Sequence, residues 1–358
     1  MREEYIKRGA KQDGRQMDLF ILHRSDYDRL YNCSFKSYDE WLQYGVKQTG
    51  LGSLFIVLGT IYITLYIPIL YVMTRPKLIE NSCWKIMFFL GIVDICSTVF
   101  NCIIPGYFGI IGAVGCNYIN FFYFVGSIAI GAWFCQCATC TILGINRLID
   151  FWKPQWMYKL FDGKRTLFWI GLCIAYGLSG TIYSAVPIFS SIGMAYFFDP
   201  YLFLPPEGMP TDRSYYVGYF HSLNNIGIVI ILAFLHGFLI ISVYMKTSGT
   251  VSAALSKMQR RLCMQAFWIC FLNFIAALIY VYMQFFPIPA ILILIAQMMW
   301  QGSNGGAVLI YLTLNRTIRK GVLKLICSPF GKYQAMPTTT VASSVIKSAH
   351  SKVHPENA

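Results

Sequence analysis

Few residues in this chain carry charge where chemistry would need it. A single acid, Asp94, stands in the 61 residues from Ile86 to Asn146, and the next charged residue is Arg147, in the run Asn146-Arg147-Leu148-Ile149-Asp150. A carboxylate in so apolar a stretch costs roughly a few kcal/mol or more unless it faces polar partners. No charged residue lies between Cys116 and Arg147, so Arg147 marks a boundary with water. These are residues for hydrogen bonding and ion pairing, not for breaking bonds. Cys135-x-Cys137-x-x-Cys140 has a ligand-like spacing, but about 100° per helical residue sends Cys135 and Cys137 to different sides, so no metal is expected. His221 and His236 lie fifteen residues apart and read as packing or hydrogen-bonding groups. No HExxH, GxSxG, phosphate loop or pair of intramembrane aspartates is present, which argues against an enzyme.

The elements that hold these residues follow from charge patterning. The 358 residues are 56% hydrophobic and 13% charged, against about 25% charged in soluble domains. Charge-free intervals at residues 48–74, 166–198 and 214–245 are each long enough for one membrane helix of about 20 residues. The interval from Ile86 to Asn146, with only Asp94 charged, makes two, broken near Pro105-Gly106. Leu262 to Asn315 makes two more, hinged at Pro287-Ile288-Pro289. The expected fold is an all-α membrane protein, a seven-transmembrane helix bundle with a short amphipathic eighth helix. Its expected parts are an N-terminal segment (1–49), the bundle (50–315), an amphipathic helix on the inner leaflet (316–327) and a disordered tail (328–358). Within the bundle the second span should end near Ile104, with Pro105–Gly115 forming a Gly-rich turn. Gly171, Gly177 and Gly180 should let the fourth span approach a neighbour.

Orientation comes from the loops. Arg75, Lys77 and Lys85 follow the first span, Arg147 to Arg165 the third, and Lys246 to Arg261 the fifth; the opposite loops contribute Arg213 alone among basic residues. Basic loops face the cytoplasm, so the N-terminus is expected outside. The first 49 residues hold nine basic and eight acidic residues and no apolar run like that of a signal peptide. Asn32-Cys33-Ser34 is an outside sequon, whereas the match at Asn315 should stay unused. The net charge of +13 is spread over short loops, which argues against a nucleic-acid partner. Cys327 is a candidate for palmitoylation, and Thr338 to Ser344 for phosphorylation or simply ordinary tail composition.

The motifs Tyr31-Asn32-Cys33-Ser34, Leu65-Tyr66-Ile67-Pro68, Asn81-Ser82-Cys83-Trp84-Lys85-Ile86-Met87-Phe88 and Asn146-Arg147 carry a resemblance. The chain resembles the rhodopsin-like G-protein-coupled receptors and, more closely, the nematode serpentine chemoreceptors of class T, over roughly residues 31 to 325. The resemblance implies a chemosensory receptor in the plasma membrane of sensory-neuron cilia, with a small-molecule ligand, a heterotrimeric G protein, arrestin, a receptor kinase and membrane lipids as partners. Arg147 then matches the G-protein-contacting arginine, Asp94 the second-helix aspartate of the allosteric polar site, and Tyr311 the tyrosine of the seventh-helix motif. Arg319 matches the start of the eighth helix. The chain departs from the superfamily at Asn146, where an acid is usual, and at Ala307 and Val308, where Asn-Pro is usual. Trp268 also lacks the Trp-x-Pro context. In that superfamily a cysteine atop the third helix bridges to the next outer loop, but Ser190 to Tyr215 has none. Cys33 is then the expected partner of Cys116, unless Cys116 is merely buried.

Depth arithmetic at 1.5 Å per residue places Asp94, Gln136 and Asn304 at similar heights above Lys85, Arg147 and Arg316, with Ser303 alongside. They are expected to form a buried network of Asp94, Gln136, Ser303 and Asn304, holding water or a sodium ion or serving as plain structure. Arg147 is expected to rest on Asp150, one turn away, until the lower sixth span with Arg260 and Arg261 moves. A ligand cavity is expected among Tyr123, Ser127, Trp133, His221, Asn225, Tyr280, Gln284 and Gln297, whose uncharged lining suits a neutral small molecule. The alternatives are a seven-helix ligand-gated channel and a small-molecule transporter. The channel would carry its N-terminus inside, and the transporter would show repeated halves.

Overall fold

The computed structural model describes residues 16–152, 154–206, 213–247, 264, 268, 271–283, 285–287 and 289–327. Five of its helices are long and apolar enough to cross a membrane, and a shorter apolar helix, Phe271–Met283, supplies the described part of the sixth span. The seventh runs as Ala290–Asn304 and Ala307–Leu314. Together these form the seven-transmembrane bundle. Arg260, Arg261, Gln284 and the tail from residue 328 lie outside the described residues.

The first span, Thr49–Met73, carries Pro68 inside an otherwise regular helix. Asn81 then starts the second by accepting from the Cys83 amide at 2.9 Å, which satisfies one of the free donors of a helix start. This second span does not end near Ile104. It runs from Ser82 to Ile111 as one 30-residue apolar helix, with a π-helical turn at Val99–Ile103, and stops at Gly112, whose φ of 79° suits a glycine. Pro105 therefore bends the helix and does not break it. A proline has no N–H for the carbonyl four residues back, here that of Asn101. Two side chains of the seventh span replace it: Gln297 and Gln301 donate to the Asn101 carbonyl at 2.8 and 2.9 Å. Tyr196 donates to the neighbouring Phe100 carbonyl at 2.7 Å. The residue that looked like a terminator is thus a docking point for two other elements.

The third span, Ile119–Trp152, is the axis of the bundle. It packs closely on the fourth, Arg165–Tyr183, because both present glycines. A Cβ at Gly131 would lie 1.9 Å from the Thr181 hydroxyl, and one at Gly180 2.6 Å from the Phe134 ring. Gly177 shares this contact, whereas Gly171 faces open space. After the fourth span comes a short antiparallel hairpin, β1 (Ile188–Ser190) and β2 (Ala195–Phe197), pairing Phe189 with Tyr196. Both strands are wholly buried, which explains why this loop is so apolar. The fifth span is Tyr219–Thr247.

The N-terminal segment covers the hairpin end of the bundle. Helices Gln16–Ile21, Arg24–Leu30 and Tyr38–Tyr44 place Leu19, Tyr27, Leu30, Tyr31 and Trp41 in the same apolar core as Tyr123, Trp133 and Trp300. The last of these helices begins with a capping box: the Ser37 amide donates to Glu40 Oε2 at 2.6 Å, and the Glu40 amide returns to Ser37 Oγ. The Ser37 amide, and its hydroxyl donating to the same Oε2 at 2.7 Å, hold the Glu40 carboxyl below its usual range. At the opposite end Asn315 Oδ1 accepts from the Thr317 and Ile318 amides and starts helix Arg316–Cys327. Ile318 and Val322 are buried and Cys327 is exposed.

Candidate functional site

Three sites line up along the bundle: a cavity under the N-terminal cap, a polar belt in the middle, and the Arg147 end. The cavity has a volume of about 40 Å³ and is bounded by Ala129, Ile130 and Trp133 of the third span, Pro187, Tyr196 and Phe198 around the hairpin, His221 and Asn225 of the fifth, Ala276 and Tyr280 of the sixth, and Trp300 of the seventh. Trp133 Nε1 donates to Asn225 Oδ1 at 2.8 Å, Asn225 Nδ2 lies 3.2 Å from His221 Nε2, and the His221 ring packs on Phe198.

Four of the eight expected lining residues are in this wall: Trp133, His221, Asn225 and Tyr280. Gln297 stands behind it, accepting from the Tyr280 hydroxyl at 2.7 Å. Ser127 points away, donating to the Thr181 carbonyl of the fourth span. Tyr123 belongs to the cap, with its ring against Phe20, Tyr27 and Tyr31. Gln284 lies outside the described residues. The sequence reading missed Tyr196, Phe198 and Trp300. Trp300 was within reach of helix periodicity, since it follows Gln297 by three residues on one face. The hairpin residues had no such signal beyond the apolar composition of their loop.

The cap is fastened directly over this cavity. Cys33 and Cys116 form a disulfide with Cα atoms 5.3 Å apart, and Trp41 Nε1 donates to the Cys33 carbonyl at 2.9 Å. Tyr201 donates to the carbonyls of Leu30 and Asn32 at 3.0 and 2.9 Å, and Tyr216 also donates to that of Leu30. Tyr31 sits among these phenols, and burial first, then its neighbours Tyr123, Tyr216, Tyr27 and Tyr201, push its own phenol well above the usual range. The cap is therefore uncharged where it faces the bundle. Asn32 is exposed, and its Oδ1 accepts from the amide and hydroxyl of Ser34.

In the belt, Asp94 Oδ2 accepts from Tyr66 at 2.6 Å and Oδ1 from Gln136 Nε2 at 3.2 Å. Ser303 and Asn304 join through their backbones: Gln136 reaches the Ser303 carbonyl at 3.4 Å, and Tyr66 the Asn304 carbonyl at 3.0 Å. Tyr66 was missed, though the same depth arithmetic finds it. It precedes Arg75 by nine residues, as Asp94 follows Lys85 by nine. Gln136 Oε1, Asn304 Oδ1 and Ser97 Oγ are buried without a protein partner. These oxygens, with the Asp94 carboxyl, match the donors that a hard cation or a water takes. Among the described residues no group of three His, Cys, Asp or Glu comes together as a metal site.

The belt connects to the cavity. From Tyr280 the hydrogen bonds pass to Gln297, then to the Asn101 carbonyl at the π turn; Asn101 Nδ2 reaches the Trp300 carbonyl, which also accepts from Asn304 Nδ2 at 2.9 Å.

At the far end Asn146 is buried and donates to Ser82 Oγ at 3.0 Å, and Arg147 Nη2 points at Met87 Sδ at 3.8 Å. Arg147 does not rest on Asp150 in this conformation. Asp150 is exposed while Arg147 turns toward the second span, and a hydrated carboxylate gains little from an exposed pair. The ion pairs among the described residues all lie at the capped end. Tyr311 is fully buried with its hydroxyl unpaired.

The apolar helices of this bundle define a multi-pass membrane protein. Residues 15–334 match the family described as serpentine type 7TM GPCR chemoreceptor Srt, and the chain belongs to that family. A Caenorhabditis elegans protein described as serpentine receptor class T-55 is 27% identical over 314 residues, covering 87% of this chain and 84% of that relative. The family is one of receptors, not enzymes.

Proposed function

We propose that the chain is a chemosensory receptor that binds a small neutral external chemical in the capped cavity and signals to a heterotrimeric G protein at the Arg147 end. The observation that carries this reading is the uncharged, aromatic and amide-lined cavity, joined by hydrogen bonds through the Pro105 bend to the belt around Asp94. A ligand that displaces Tyr280 or Trp300 changes the packing of the seventh span on the second. The receptor then shifts between two packings in proportion to the ligand's preference for one of them. At the far end that shift releases Arg147 from Met87 and moves Asn146 off Ser82. The unpaired Tyr311 hydroxyl supplies a new partner there.

The cap and Asn32 are extracellular in this reading, with Asn32 glycosylated and the basic loops cytoplasmic. The receptor resides in the plasma membrane of sensory-neuron cilia. Helix Arg316–Cys327 lies on the inner leaflet, with Cys327 palmitoylated and arrestin and receptor kinase as later partners. Asp94, Gln136, Ser97 and Asn304 hold a sodium ion or water in the resting state. The test is a chemical panel on transfected cells with a calcium or cyclic-nucleotide readout. Arg147→Ala is expected to abolish the response at unchanged surface level. An undiminished response would refute the coupling role.

A further inference from the structure

The polar groups of the cavity wall can be counted one by one, and the count is uneven. Trp133 Nε1 is spent on Asn225, the Tyr280 hydroxyl hydrogen on Gln297, and the Tyr196 hydroxyl hydrogen on the Phe100 carbonyl. Trp300 differs. It is 8% exposed, its ring stands in the wall between those of Tyr196 and Tyr280 at centroid distances of 5.8 and 6.0 Å, and its Nε1 is buried with no acceptor in the protein. A buried donor left unpaired is costly, so a bound group that supplies the acceptor gains what the protein lacks. The wall otherwise presents rings, methyl groups and already-bonded amides, and it has no charged side chain.

We infer that the ligand is an uncharged small molecule with a hydrogen-bond acceptor oxygen, of the ketone, aldehyde or ester class, and that Trp300 Nε1 donates to that oxygen. This rests on the cavity being the ligand site. An amine or carboxylate would bring a charge with no counter-charge into the wall. A pure hydrocarbon would leave the indole N–H unpaired. An alcohol would be accepted for its oxygen, not for its hydrogen.

The experiment is thermal stabilisation of the purified receptor in lipid nanodiscs by a panel of small ketones, aldehydes and esters. Each is paired with the hydrocarbon in which a methylidene carbon replaces the carbonyl oxygen. Carbonyl members are expected to bind about tenfold more tightly than their partners, the usual scale for one buried hydrogen bond. Trp300→Phe removes the N–H and also shrinks the bicyclic ring to a single one, so some packing is lost with it. It is expected to erase the preference of carbonyl members over their hydrocarbon partners, a comparison made within the variant and so independent of the lost packing. A panel in which no carbonyl compound outbinds its partner overturns the inference. So does a preference that survives Trp300→Phe. G-protein nucleotide exchange, measured separately, keeps the two readings apart. Trp300-dependent binding that drives no exchange refutes the signalling role alone, and exchange driven without carbonyl preference refutes the ligand class alone.

Discussion

The capped end and the Arg147 end of this bundle are held together by different means. At the capped end a disulfide, a buried hairpin and tyrosines donating to backbone carbonyls fix the cap over the cavity. At the Arg147 end the apolar core is equally dry, with Tyr66, Val72, Met87 and Tyr311 all buried. Its contacts between spans run mostly side chain to side chain, however: Asn146 on the Ser82 hydroxyl, Trp152 on the Ser242 hydroxyl and Arg147 near the Met87 sulfur, with the Tyr311 hydroxyl left unpaired. Covalent and backbone-anchored contacts fix a single geometry, whereas contacts between side chains leave alternative packings within a few kcal/mol. The difference suits a receptor that must keep its binding end shaped while its other end changes.

The sharpest way to break the comparison is to cut the cap. Cys33 and Cys116 are separated by 83 residues, and a loop of that size stabilises by about 4 kcal/mol in the chain-entropy account. Cys33→Ser, Cys116→Ser and the double variant are each expected to melt at the temperature of the reduced wild type, far below the oxidised protein. Equal melting of oxidised wild type and double variant would mean that the cap adds nothing to the capped end.

The bend at Pro105 tests the middle ground. Gln301→Leu removes one of the two donors to the Asn101 carbonyl together with its own buried, unpaired Oε1, and is expected to cost about 1 kcal/mol. In a Pro105→Ala background the new N–H can reach that carbonyl, so the same change is expected to cost less than half as much. A double-mutant cycle by thermal or denaturant unfolding gives the coupling. Simple additivity would show that the glutamines are not standing in for the missing proline N–H.

How legible all this was in the sequence depended on whether a signal was local. Charge-free runs gave the seven spans, and positions relative to the basic residues gave the heights of Asp94, Gln136 and Asn304, because a helix has a fixed rise. The Cys33 and Cys116 pairing followed from comparison with receptors that bridge elsewhere. Pro105 misled, because whether a proline ends a helix or bends it is decided by distant residues, here Gln297, Gln301 and Tyr196. The same limit hid Tyr196 and Phe198: a three-residue strand pairing has no periodicity to read. Tyr123 and Ser127 were placed on the third span correctly, yet their facing depends on the cap and the fourth span, which the third span's own sequence does not encode.

The smallest expected effect lies at the Arg147 end. Asn146→Ala removes the bond from Nδ2 to Ser82 and also removes Oδ1, a buried acceptor with no partner. A hydrogen bond contributes about 1 kcal/mol net, and relieving an unsatisfied acceptor returns a similar amount. Stability is therefore expected to change by less than about 1 kcal/mol, the least of the three changes. Function should respond more than stability, because Asn146 adjoins Arg147 and ties the third span to the start of the second. Basal nucleotide exchange on the G protein is expected to rise, since one contact peculiar to this packing is gone. A large loss of stability with unchanged basal exchange would show that this end is as firmly built as the capped one, and the contrast would fail.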